Sequence, residues 1–153
     1  MDITLQKEIQ LLKTVSLFRT LKEEELKIII LTTEDIIYEP GEVIVNEGDE
    51  GNEAYIIYAG SVEVYRKAGD GNPVILNKMG PGGMFGELAL FGNGVRTASV
   101  KAVEETLVSV ISGEKLYEII RAFPDIAIEI LKALTERFAK VENRLIRSME
   151  HEE

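Results

Sequence analysis

Phe85-Gly86-Glu87-Leu88-Ala89-Leu90-Phe91-Gly92-Asn93-Gly94-Val95-Arg96-Thr97-Ala98-Ser99-Val100 is the stretch around which the rest of the chain is organised. Six of the thirteen glycines fall between Gly80 and Gly94, the densest cluster in the sequence. Gly80, Gly82 and Gly83 let backbone bend tightly and approach a ligand with no Cβ in the way. Gly86 to Leu90 has the length of one helical turn, whose first amides point outward without partners and suit a singly charged phosphate. Glu87, in that turn, is placed to accept hydrogen bonds from neutral hydroxyls such as those of a ribose. Arg96, nine residues on, is expected to begin a strand facing back over the turn, where its fork grips phosphate oxygens. Donors for a phosphate beside an acceptor for a sugar describe a nucleotide whose phosphate and ribose lie close together.

The rest of the composition narrows the chemistry. At 153 residues, 45% hydrophobic and 29% charged, the chain reads as one domain able to bury its own core. Cysteine is absent and the single histidine is His151, so thiolate, disulfide, Cys-metal and His-cluster chemistry have no residues to work with. A net charge of −10 opposes binding to a nucleic-acid backbone, which needs clustered cations. It makes the amide-rich, cationic spot from Gly86 to Arg96 more conspicuous. The N-terminus shows no basic segment leading into an apolar one, and no apolar run has the length of a membrane span. The expectation is a cytoplasmic protein without a membrane or nucleic-acid partner.

Working outward, Leu5, Ile9 and Leu12 predict a helix over 2–13 capped by Asp2. Thr20 to Glu23 has capping-box spacing and predicts a second helix through about Thr32. For these helices, packing on a sheet stands beside a moving lever or dimer arm. From Asp35 the texture becomes β. Ile36–Tyr38, Val43–Val45, Ala54–Tyr58, Ser61–Tyr65 and Val74–Leu76 precede the glycine cluster, and Arg96–Ala102 and Thr106–Ile111 follow it. Turn residues separate them. About eight short strands with little helix between them predict a small antiparallel barrel or jelly roll. Ser112 is the expected cap of a helix running to about Ala122, and Pro124 suits the first turn of the next. Ile126, Ile130, Leu134, Phe138, Val141 and Leu145 then recur at helical spacing. Packing on the barrel accounts for the first half of that stripe, while the part beyond Val141 leaves a coiled dimer seam open. The fold class is α+β, mainly β, with N-terminal helices over 1–33, a barrel over 34–111 and two C-terminal helices over 112–150.

Phe85 to Leu90 followed by Arg96-Thr97-Ala98 resembles the phosphate-binding cassette of cyclic nucleotide-binding domains. Pro40-Gly41-Glu42-Val43-Ile44, Glu47-Gly48-Asp49 and Tyr55-Ile56-Ile57 with Gly60 resemble that family's first barrel strands, and the likeness runs from about residue 17 to 145. The resemblance implies an eight-stranded antiparallel jelly-roll barrel (a double-stranded β-helix) over a single domain, 1–153. It implies that Glu87 accepts the ribose 2′-hydroxyl, and that the Leu88 and Ala89 amides, approached past Gly86, bind exocyclic phosphate oxygens. Arg96 pairs with the phosphate charge, Ala98 sits beside it, and Val64, Leu76 and Phe85 line the apolar side. Arg137, on the last helix, falls where a residue covering the base is expected. Val95 replaces the proline many relatives carry before the arginine. Thr97 carries a hydroxyl that suits either purine, so the base stays open at this position.

The function expected from this is a non-enzymatic sensor or regulatory module that binds cAMP, or in second place cGMP, with no other cofactor and no metal. Its output passes through a homodimer of the C-terminal helix or through an unidentified protein partner. Three alternatives compete. One is the ligand-binding part of a CRP-type transcription regulator, a reading that requires this sequence to be a fragment of a longer chain. The second is a ligand-free, degenerate member of the fold. The third is a cupin-like metal enzyme, which this histidine-poor barrel disfavours.

Overall fold

The computed structural model describes residues 4–151, with the side chains of that span except those of Ser16, Arg137 and His151. Eight strands form two four-stranded antiparallel sheets. β1 (Glu34–Tyr38), β8 (Thr106–Ser112), β3 (Glu53–Ala59) and β6 (Met84–Phe85) make one, in that spatial order. β2 (Val43–Val45), β7 (Ser99–Ala102), β4 (Val62–Lys67) and β5 (Pro73–Met79) make the other. The sheets face each other as a jelly roll, and α1 (Leu5–Leu12), α2 (Glu23–Leu31), α4 (Gly113–Ala122) and α5 (Asp125–His151) flank it. The expected mainly-β architecture between helical ends is the architecture observed.

Two central strands are apolar on both faces, because each divides two cores. In β3, Ala54, Ile56 and Tyr58 turn toward the helices, while Tyr55 and Ile57 turn into the barrel. In β8, Leu107 and Ile111 take the helical side and Val108 and Val110 the barrel side. The period of two does the sorting. The helical core adds Ile9, Leu12, Phe18, Leu26, Ile29, Leu116 and Ile126, all fully buried. Packing is therefore what α1 and α2 do here, although Leu5 stays half exposed.

Several element ends differ from expectation. Thr4 caps α1 by accepting from the Lys7 amide; Asp2 lies outside the described residues. The cap of α2 falls at Lys22, whose amide donates to Glu25 Oε1 at 3.0 Å, two residues beyond the predicted Thr20 start. Both are shifts among neighbouring polar residues that compete for the same orphan amides. Ser112 caps α4 as expected, accepting from the Lys115 amide. Along α5, Ile126 and Ile130 are buried, whereas Phe138, Val141 and Leu145 are 64%, 50% and 60% exposed. A buried Glu129 on α5 takes Arg19 at 3.0 Å, tying the start of that helix to the turn before α2. Among the described residues no helix is long and apolar enough to cross a membrane, and no three metal-ligating side chains gather.

Candidate nucleotide site

Gly86 opens the cassette with φ +87°, a conformation open to glycine and strained for other residues. It is the N-cap of α3 (Glu87–Phe91), the single helical turn expected from the sequence. A Cβ on Gly86 would meet Arg96 Nη1 at 2.8 Å and the Glu53 carbonyl at 3.0 Å. The turn is also fixed from behind. The Tyr117 hydroxyl of α4 donates to the Leu90 carbonyl, and Phe91 meets the Tyr117 ring edge-on at 5.9 Å.

Arg96 does not begin a strand; β7 starts at Ser99. Instead its backbone pairs with the loop before β3. Its amide donates to Asp49 O at 2.8 Å, its carbonyl accepts from Gly48 N at 2.9 Å, and Gly51 N donates to Gly94 O at 2.8 Å. This short ribbon aims the side chain inward, where it is 6% exposed. Nη1 donates to the Glu53 and Gly86 carbonyls at 2.9 and 3.0 Å. Among the described residues Nε and Nη2 donate no hydrogen bond. The guanidinium also lies 5.7 Å from the Tyr55 ring centroid, and Tyr55 stacks on Phe85 at 4.9 Å. Burial, with Glu53 adding to it and Arg96 opposing it, pushes the Tyr55 phenol up to about 12. Tyr55 therefore remains a neutral platform for the cation.

A cavity of about 470 Å³ opens between this cassette, the barrel strands and α5. Val64, Leu76, Phe85, Gly86, Glu87, Leu88, Ala89, Arg96, Thr97 and Ala98 all line it, so the fold brings together every predicted residue but one. The exception is Arg137, whose side chain lies outside the described residues. Among the described residues the α5 wall of the cavity is formed by Lys140, Val141 and Arg144, one to two turns further on. Met79 and Met84 line it too. Glu87 is 7% exposed, so a carboxylate and a guanidinium both sit buried at the same end of the cavity.

Gly51 is a site residue that sequence reading misses. A Cβ there would lie 2.0 Å from Arg96 Nε and 2.2 Å from Cζ. Its φ is unremarkable, so alanine is barred by the guanidinium alone. Gly51→Ala is expected to displace that group and weaken nucleotide binding about 5- to 50-fold, within the worth of one charged hydrogen bond. Calorimetric titration of the folded variant checks this, and affinity equal to wild type would contradict it.

The family model for the cyclic nucleotide-binding domain matches residues 36–123. The chain is 29% identical over 136 residues to a CRP-like cAMP-activated global transcriptional regulator of Mycobacterium tuberculosis, covering 89% of this chain and 61% of that protein. It is 35% identical over 99 residues to a cAMP-dependent protein kinase regulatory subunit of Dictyostelium discoideum, covering 65% of this chain and 30% of the other. The crystal structure of the Thermus thermophilus catabolite activator protein superposes with a TM-score of 0.81 at 31% identity, covering 85% of this chain and 61% of that one. The regulatory domain of Toxoplasma gondii PKA, crystallised with cAMP, gives 0.70 at 29% identity, covering 75% and 44%. The chain thus spans about six-tenths of its regulator relative and under a third of its kinase relative. Its matched span, its jelly roll and its cassette agree: the chain belongs to the cyclic nucleotide-binding domain family.

Proposed function

We propose that this chain is a non-enzymatic sensor of a cyclic nucleotide, cAMP ahead of cGMP. The observation that carries the reading is Arg96: a buried guanidinium anchored through Nη1 and presenting its other donors beside Glu87 at the end of a nucleotide-sized cavity. Arg96 neutralises the cyclic phosphate while the Leu88 and Ala89 amides bond its exocyclic oxygens. Glu87 accepts the ribose 2′-hydroxyl. Phe85, Val64 and Leu76 exclude water from the sugar and base, with Thr97 and Ala98 at the rim. The adenine preference is supported by three of the relatives, which are cAMP-activated, cAMP-dependent or crystallised with cAMP, while a cGMP-dependent protein kinase at 36% identity keeps cGMP in second place.

Lys140, Val141 and Arg144 on the described wall of α5 stand beside Arg137 as residues that cover the base. Nucleotide binding favours the state in which α5 lies over the base, and it shifts that equilibrium only by its difference in affinity for the two states. The exposed apolar seam of Phe138, Val141 and Leu145 passes the change to a second copy or another protein. Because the chain covers 61% of its regulator relative, a second reading has support: the ligand-binding part of a longer transcription regulator.

Titration with cAMP, cGMP and linear AMP tests the reading. Both cyclic forms should bind more tightly than the linear one; no binding of either cyclic form up to millimolar concentration points to a degenerate fold. Neutralising Lys140 and Arg144 together should weaken binding by a few-fold, at most about tenfold, because exposed charges act through water. The loss should shrink as salt rises from 0.05 to about 0.5 M. A salt-independent loss would mean that these side chains act through packing.

A further inference from the structure

A second cavity, of about 220 Å³, lies behind the nucleotide site, and we propose that it binds a small neutral aromatic molecule of one or two fused rings. Its walls come from four separate segments. Val15 and Leu17 belong to the turn before α2, Phe91 to the cassette helix, and Ile130, Ala133 and Leu134 to α5, with the backbone of Gly82 and Gly83 closing another side. Walls converging from four directions make a concavity for a molecule, whereas a flat apolar face suits another protein.

The chemistry of the lining selects the ligand. Its side chains are aliphatic, thioether or aromatic, apart from Glu87 at one end, which the cavity shares with the nucleotide site. Among the described residues no lining side chain is cationic and Glu87 alone is charged, so a strongly polar solute would lose its water without replacement. An apolar space of about 150 Å³ stays dry and accepts benzene, so 220 Å³ has room for a bicyclic ring such as indole. Phe91 offers a ring for edge-on contact, and the Met84 sulfur suits an aromatic edge.

The site stands apart from the cyclic-nucleotide reading, although the two cavities share Met79, Met84 and Glu87. The test is titration of the full chain with indole, following the methyl resonances of Val15 and Leu134 by NMR, without nucleotide. Saturable shifts with a millimolar or tighter Kd are expected. Ala133→Leu, which puts three further carbons into the cavity, should weaken binding at least tenfold. No saturable shift up to the solubility limit, or an unchanged Kd in a folded Ala133→Leu, overturns the proposal. A crystal soaked with iodobenzene decides independently of the variant. An anomalous peak between Phe91 and Ala133 supports the site; a peak only in the nucleotide cavity, or none, removes it. The absence of nucleotide from both measurements keeps a failed cyclic-nucleotide titration separate from a failed indole one.

Discussion

Arg96→Ala is expected to weaken cyclic-nucleotide binding about 10- to 150-fold, the equivalent of 1.5–3 kcal/mol for a hydrogen bond to a charged group. Two effects add in this variant and need separate measurement. The first is loss of the phosphate partner in a cavity where the chain's net charge of −10 offers no general attraction to an anion. The second is structural: Nη1 bridges the Glu53 and Gly86 carbonyls, so its removal takes a donor from two half-buried acceptors at once. Stability should therefore fall by about 1–3 kcal/mol as well, the cost of leaving a buried polar group unmatched. Thermal melting reads the second effect, and calorimetry well below the variant's Tm reads the first. Arg96→Lys retains the charge but not the planar fork, so it should fall between alanine and wild type in affinity. Affinity unchanged in folded Arg96→Ala would remove the arginine from the site. A large loss of stability with intact binding would make it a strut for the 48–51 loop and nothing more.

The cassette was legible because its signal is local. Six glycines, one carboxylate and one guanidinium within one stretch state both the turn and its chemistry, and the single turn of α3 follows from them. The long stripe of α5 and the Ser112 cap were legible for the same reason. What the sequence did not disclose depends on partners far along the chain. β6 is two residues long and exists only because Met84 and Phe85 pair with Ile56 and Tyr55. Arg96 was expected at a strand start because β-formers follow it, yet its backbone bonds go to Gly48 and Asp49. Gly51 carries no local mark of its role; only folding brings it under the guanidinium. The wall of α5 adds Lys140, Val141 and Arg144, which the sequence reading did not name. Arg137 and Lys140 are three residues apart, about 4.5 Å along a helix axis at 1.5 Å per residue. Periodicity gives the face of a helix, but not how far along the barrel that face makes contact.

Gly60→Ala is expected to destabilise the fold by about 2–5 kcal/mol, without touching any residue of the cavity. Gly60 joins β3 to β4 at φ +89°, in the left-handed region that an L side chain enters at a cost. A Cβ would also lie 2.4 Å from the Glu105 carbonyl and 2.7 Å from the Thr106 Cα, both backbone atoms that cannot swing aside. The corner it packs against is itself fixed. Thr106 is fully buried, its hydroxyl accepts from Ser61 N at 3.2 Å, and Val103 N donates to Ser61 O at 2.9 Å. Moving β8 to make room would disturb the strand that lies between β1 and β3. Two glycines separate the contributions. Gly41 has φ +87° with nothing within 4 Å of a Cβ, so Gly41→Ala measures the backbone strain alone, about 1–2 kcal/mol. Gly69 has neither a positive φ nor a near neighbour, so Gly69→Ala should lie within about 0.5 kcal/mol of wild type. At about 2–4 °C per kcal/mol for a chain of this size, Gly60→Ala should lower Tm by roughly 5–15 °C. A Tm for Gly60→Ala no lower than that for Gly41→Ala would show that the β3–β4 corner yields to a methyl group, and that the close approach of Gly60 to β8 is not what holds the two sheets in register.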